Sequence, residues 1–327
     1  MTAPLLQVED LRTGLPSRRG FVPAVDGVSF TVSPGEIVGI VGESGCGKST
    51  LCMSLVRLLP RGTETSGRIL FKGEDILKKT PEEIRRLRGR EITTVLQNPM
   101  TALDPVFTVG SQLREILQVN SDLSAPERDR RAVEILRQVH IPSPEERLHN
   151  YPHQMSGGMK QRLLTGMATA LTPSLLLADE PTTALDVTIQ EQILGLLAEI
   201  RDRLGTAILL VTHDLGVVRR LCDRVLSMYA GRIVETGSAA AVFAEPQHPY
   251  TQALLASIPR IGQERERLQA IEGQIPDLRR LPPGCRFAPR CPHVMPRCRT
   301  EYPPSFVTAH GQAACWLHDA RVPEASS

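Results

Sequence analysis

Through the first 240 or so residues, short β-rich apolar runs alternate with longer stretches whose apolar residues recur at helical spacing. That alternation is the signature of an α/β domain built on a largely parallel sheet. Buried strands are predicted over 36–41, 174–178 and 206–211, and a helix over 48–59. After Asp186, a good N-cap, apolar side chains recur at Ile189, Ile193, Leu196, Leu197, Ile200 and Leu204 before Gly205. This pattern predicts a helix closed by a glycine C-cap. Between 97 and 171 the pattern turns mostly helical, with few strand signals and several prolines, and predicts a helical insertion. Beyond Pro246 proline and arginine rise and periodicity fades, so 260–284 reads as a linker into a cysteine cluster.

Composition narrows the class. At 41% hydrophobic and 23% charged, the 327 residues are those of an ordinary soluble globular protein of a length that usually divides into two cores. With 38 Lys+Arg against 36 Asp+Glu the formal charge is only +2, so nucleic acid is not the default partner. Apolar runs such as 208–211 and 175–178 are far shorter than the roughly 20 residues of a membrane helix. The first residues lack a basic segment followed by an apolar one, so no secretory signal is read and a cytoplasmic location is expected. Of seven cysteines, Cys285, Cys291, Cys298 and Cys315 fall in the last 43 residues. In a reducing compartment such clustering suggests metal binding before disulfides.

The segment Gly42, Glu43, Ser44, Gly45, Cys46, Gly47, Lys48, Ser49, Thr50 fits G-x-x-x-x-G-K-[ST] and lies between a predicted strand and a predicted helix. Its glycines let successive backbone N–H groups and the helix N-terminus point at one place, where they can bind phosphate oxygens. Lys48 is expected on the β and γ phosphates, and the Ser49 hydroxyl on Mg²⁺. Asp179 ends the apolar run from Ser174, which suits it to hold the metal at the carboxyl edge of a strand. Glu180, next in line, is expected to orient or deprotonate the attacking water. A ligand-free glycine turn and a solvated Asp-Glu pair are the plainer alternatives.

Two further segments carry a resemblance. Met155-Ser156-Gly157-Gly158-Met159-Lys160-Gln161-Arg162 resembles the signature motif of ABC ATPases. Gln97, Asp186 and His213 fall where that family keeps its Q-loop, D-loop and switch histidine. The stretch 95–105, then Met228 to Glu235, His248-Pro249-Tyr250-Thr251 and Cys285 to Pro292, looks like the peptide and nickel importer branch. The chain is therefore identified as a member of the dipeptide/oligopeptide permease ATPases. The resemblance implies an ABC-type P-loop domain over 1–245, with a helical subdomain at about 98–171, and a small irregular Cys-rich extension over 246–327.

It also implies that the chain hydrolyses ATP with Mg²⁺, held by Ser49, Gln97 and Asp179, to power import. Ser156, Gly157, Gly158 and Gln161 would face ATP bound by a partner subunit, and His213 would contact the γ-phosphate. The implied partners are two transmembrane permease subunits, a second related ATPase (a homodimer being the alternative) and an extracytoplasmic binding protein. The location is the cytoplasmic face of the membrane. The transported solute is not specified, since selection occurs in other subunits. Met155 stands where the family more often has Leu, a volume-conserving change. Leu15-Pro16 occupies the usual place of the aromatic that stacks on adenine, with Phe21 the nearest aromatic.

Gaps of five, six and sixteen residues separate the four late cysteines. Structural zinc prefers C-x₂₋₄-C pairs, which are missing here. Four thiolates on irregular chain suit a [4Fe–4S] cluster, and similar tails in the family are associated with one; zinc and unligated or disulfide-linked cysteines are the alternatives. Cys52 and Cys222 read as small buried hydrophobes. Cys46, among the cradle's donors near Lys48, is expected to have a lowered pKa and to be alkylated unless ATP protects it, or else to be a mere spacer. The run Arg85, Arg86, Arg88, Arg90 after Glu82 and Glu83 reads as a solvated helix face, or a contact with lipid headgroups or a membrane subunit. Two other functions compete: a soluble ABC ATPase of DNA repair or translation, and a motor gated by a redox-sensing tail.

Overall fold

The structure is a computed structural model that describes residues 3–18, 20–95, 102–183, 185–257 and 271–319. The chain forms two compact units. One comprises Met1–Leu5, Val32–Ile37 and Lys78–Leu210; the other comprises Leu6–Thr31, Val38–Leu77 and Val211–Ser327.

In the first unit, β6 (Ile92–Val95) runs parallel to β7 (Leu175–Asp179), with β8 (Ala207–Val211) on the far side of β7. The buried strands match the expectation for a parallel sheet closely, each displaced by one residue from its predicted start. Between β6 and β7 lie helices Val109–Asn120, Ala125–Gln138, Pro144–Arg147 and Gly157–Thr169. Thr108 and Ser156 cap their helices with side-chain oxygens, and Ser124 forms a capping box with Glu127. Such caps satisfy N–H groups that the first turn leaves without a partner. Val109, Leu113 and Leu117 from one helix meet Ala132, Ile135 and Leu136 from the next, with Leu163, Leu196 and Ile200 completing the core. Each large apolar side chain so buried contributes roughly 1.5–3 kcal/mol. Gly166 lets two helices approach, since a Cβ there would sit 3.0 Å from Ile135 Cγ2.

In the second unit, β1 (Leu6–Ser17), β2 (Gly20–Val32), β4 (Glu64–Phe71) and β5 (Glu74–Asp75) form a sheet in the order β2-β1-β4-β5, with β1 antiparallel to β4. A second set runs in the order β11-β12-β10-β9-β3. Here β3 (Ile37–Val41) is parallel to β9 (Arg224–Tyr229). β10 (Arg232–Ser238) is antiparallel both to β9 and to β12 (Gly311–Ala313), which pairs with β11 (Phe306–Thr308). The sheets are thus mixed rather than largely parallel. The extension is also less irregular than the fading periodicity suggested, because β12 pairs with β10 and β11 with β12. Tyr250 and Phe287 of the extension form an aromatic cluster with Tyr229 of β9, with ring centroids 4.6, 5.3 and 5.5 Å apart.

The predicted helix 48–59 stops earlier, at Leu55. Arg57 adopts a positive φ of 52°, which no continuing helix permits. Arg85 and Arg86 pair with Glu82 on the exposed face of helix Pro81–Leu87, which is the solvated arrangement of mixed charges. No helix among the described residues is long and apolar enough to cross a membrane.

Candidate nucleotide site

The cradle begins where buried β3 ends. Gly42, Gly45 and Gly47 have φ of 155°, 80° and 107°. A Cβ at Gly42 would lie 2.2 Å from the Met228 carbonyl oxygen, and one at Gly47 would lie 2.2 Å from that of Ala24. Close backbone approach, as well as positive φ, therefore demands glycine at both places. Lys48 starts helix Lys48–Leu55 and is only 5% exposed. Its Nζ donates to the carbonyls of Gly42 at 2.7 Å and Glu43 at 3.0 Å, which satisfies the ammonium within the loop. Ser44, Gly45 and Ser49 are exposed, while Thr50 is half-buried.

His213 lies in the same unit, exposed, immediately before Asp214. Asp214 caps helix Leu215–Leu221, and the Thr212 N–H donates to the Ile40 carbonyl at 3.2 Å. That bond brings the histidine's segment beside the strand that feeds the cradle.

Cys46 departs from expectation. Its side chain is fully buried, and burial pushes the thiol pKa up by more than the nearby Lys48 charge pulls it down. A buried neutral thiol is a packing element rather than a nucleophile. Cys52 and Cys222 are buried as expected, the latter pushed up to about 12 by burial.

In the other unit β7 delivers Asp179, 4% exposed, at its last position. Glu180 follows with a φ of 49°, a strained conformation for a residue with a Cβ. The Thr183 hydroxyl donates to its carboxylate at 2.8 Å. Asp186 caps helix Val187–Leu204 by accepting from the Ile189 N–H, and Gly205 closes that helix in the left-handed conformation. Ser156 caps helix Gly157–Thr169, and Ser156 and Gly157 are exposed. Gly158 is buried; a Cβ there would meet Ile189 Cγ2 at 2.7 Å, so it is needed for packing against the next helix. Gln161, expected to face a partner's nucleotide, lies inside at 1% exposure. Gln97 lies outside the described residues.

The C-terminal region supplies groups that the sequence reading did not assign. Arg290 donates to both carboxylate oxygens of Glu43, at 2.8 and 3.1 Å, and the Glu43 N–H donates to the Tyr250 hydroxyl at 2.9 Å. Arg12, Arg232 and Arg286 converge on Asp26. Burial tends to raise the Asp26 pKa, but the hydrogen bond and charge of Arg232, with the charges of Arg286 and Arg12, outweigh it and hold the pKa below its ordinary value. Thr183 carries no local signal, and Arg290 and Tyr250 enter only as parts of the importer-like tail.

Cys285, Cys291, Cys298 and Cys315 line one cavity with Phe287 and Trp316. All seven cysteines are free thiols, so the disulfide alternative is not realised. Burial pushes Cys285 up to about 11 and Cys315 up to about 12, and raises Cys291. Among the described residues no three His, Cys, Asp or Glu side chains converge closely enough to hold a metal ion. The zinc alternative requires sulfurs about 2.3 Å from one ion and is not supported by this arrangement. Nor is the expected [4Fe–4S] cluster met by a ready-made metal site; what the cysteines share is the cavity.

Residues 25–183 match the ABC transporter family, and 234–298 match the oligopeptide/dipeptide transporter C-terminal region. A probable peptide ABC transporter ATP-binding protein of Sinorhizobium fredii is 49% identical, the match covering 95% of this chain and 94% of the relative. The dipeptide transport ATP-binding proteins DppD of Bacillus subtilis and Escherichia coli are 46% and 44% identical, each match covering 98% of this chain and 97% and 99% of theirs. Among solved structures, the dimeric ATP-binding cassette MJ0796 bound to ADP and Pi superposes with a TM-score of 0.64 at 26% identity, covering 72% of this chain and 98% of that one. These relatives lend no support to a role in DNA repair or translation, or to a redox-gated motor. With such identity over nearly its whole length, the chain belongs to the ATP-hydrolysing, ATP-binding subunits of the peptide ABC transporter family.

Proposed function

We propose that this subunit powers import of di- or oligopeptides or related solutes through a membrane permease. The observation that carries the reading is the pairing of a complete phosphate cradle with the importer-type C-terminal region in one chain. The cradle's backbone and Lys48 bind the triphosphate, while Ser49, Gln97 and Asp179 hold Mg²⁺. When bound, Mg²⁺ neutralises charge on the phosphate oxygens. Glu180, oriented by Thr183, positions the attacking water and takes its proton, and His213 contacts the γ-phosphate side.

Ser156 and Gly157 open a helix whose exposed N-terminus suits an anion, and in this reading that anion is the γ-phosphate held by a partner ATPase. Asp186 serves as the D-loop residue between the two. One chain then supplies half of each site, so closing and opening of the pair can drive membrane subunits. The assembly comprises two transmembrane permease subunits, this chain with a second related ATPase, and an extracytoplasmic binding protein. The chain sits peripherally on the cytoplasmic face. Residues 1–245 form the nucleotide-binding domain and 246–327 the Cys-rich extension.

The four cysteines line one apolar cavity, and on that shared lining and the resemblance of the tail we assign them to a [4Fe–4S] group. When bound, such a group cross-links chain segments and offers one-electron chemistry. The thiols must lose their protons to ligate, against the raised values that burial imposes. Protein purified without oxygen should contain iron and acid-labile sulfide in equal amounts, lost on Cys298→Ser.

The transport reading is tested by peptide uptake in cells that lack the endogenous subunit. Wild-type chain should restore uptake, and Glu180→Gln should abolish it while retaining ATP binding. Uptake that is unchanged by Glu180→Gln would overturn the reading.

A further inference from the structure

We propose that Arg290 and Tyr250 are positioning residues of the phosphate cradle, which hold Glu43 so that the loop is preformed for nucleotide. Both lie beyond the residues that match the ABC transporter family. The inference deepens the nucleotide reading of the same loop and rests on it.

Glu43 is engaged at every polar group. Its N–H donates to the Tyr250 hydroxyl at 2.9 Å, and its carbonyl accepts from Lys48 Nζ at 3.0 Å. Its carboxylate receives two guanidinium nitrogens of Arg290, at 2.8 and 3.1 Å. Two of these three anchors come from the C-terminal region, more than 200 residues away along the chain.

The anchors are themselves fixed. Arg290, whose side chain is 4% exposed, also donates to the Ile271 and Glu272 carbonyls and to the Tyr229 hydroxyl. Tyr250 is buried and packed between Tyr229 and Phe287. A paired guanidinium fork fixes orientation as well as distance, which a lysine does not.

The benefit follows from the loop's composition. Three glycines with positive φ leave the backbone free to sample conformations that do not bind phosphate. Apparent affinity falls with the fraction of protein in the competent conformation, so a brace on the loop tightens binding without touching the ligand. Glu43 is the right place for it, since the residues that follow it, Ser44 and Gly45, are left exposed.

The test measures binding of a fluorescent ATP analogue to the full chain, alongside thermal melts and turnover at saturating ATP. Arg290→Gln and Glu43→Gln should each raise Kd about tenfold, and the double variant should be no weaker than either single, as for partners in one network. Arg290→Lys should recover part of the loss, and Tyr250→Phe should raise Kd by a smaller factor. The rise in Kd should exceed any fall in turnover at saturation, since the pair acts on how well the loop is preformed for binding. Glu43 is half-exposed, so its variant decides the matter if Arg290→Gln fails to fold. Unchanged Kd with a lowered melting temperature would make the pair a mere fold brace and overturn the proposal, as would single effects that multiply in the double variant. If Lys48→Ala binds the analogue as wild type does, the nucleotide reading of the cradle itself falls.

Discussion

The hydroxyl of Thr183 donates to Oε2 of Glu180 at 2.8 Å, across a turn in which the Thr183 N–H also donates to the Glu180 carbonyl at 3.2 Å. The carboxylate proposed as the base is thus held at a residue whose backbone already sits in the left-handed region. A hydrogen bond to a charged group contributes about 1.5–3 kcal/mol, so Thr183→Val should slow turnover roughly tenfold or more while ATP binding stays unchanged. Thr183→Ser should retain most of the rate. Steady-state ATPase assays of the three proteins check this, and full activity in the valine variant would contradict it.

Asp26 gives a pH dependence with a defined sign. Its folded pKa is lowered, so the stability it contributes is present above the ordinary carboxylate value near about 4 and is lost as pH falls through the lower folded value. Melting temperature should fall more steeply on acidification in wild type than in Asp26→Asn, with the difference largest above that range and vanishing below it. Parallel melts across the range would show no such linkage.

Cys46 should resist alkylation in the native chain, because it is buried and its thiol pKa is raised. Thiolate is the reactive form, so labelling near neutral pH should be slow and become complete only after denaturation. Mass spectrometry of the peptide carrying Cys46 reads the outcome. Rapid labelling that ATP suppresses would restore the opposite view of this thiol.

Much of the site was legible because its chemistry is local. The glycine pattern around Lys48, the apolar run into Asp179, and the caps Asp186 and Gly205 each sit within one turn or strand, and the structure has them in those places. What was not legible depends on distance. β1 and β2 carry mixed patterns that make sense only once each strand has its neighbours. β11 and β12 span three residues each and exist because β10 offers an edge. Arg290 and Glu43 are 247 positions apart, and no spacing rule connects them. Cys46 misled for a related reason: neighbours in sequence suggested a positive field, while packing decided its burial.

The central claim is that each site is completed by the signature helix of a second ATPase, and Gly157 tests it. This residue is exposed, and a Cβ added there would meet nothing within 4 Å. Gly157→Glu also puts an acidic group in the first turn, where the helix dipole favours it, so fold and own-site nucleotide binding should be preserved. The same carboxylate would repel a γ-phosphate brought to that helix. In the purified transporter complex, the variant should bind ATP with wild-type affinity yet lose turnover by roughly 10²-fold or more, the scale of a lost anion-stabilising site. Wild-type turnover by Gly157→Glu would mean that hydrolysis never uses this helix, and would contradict the account.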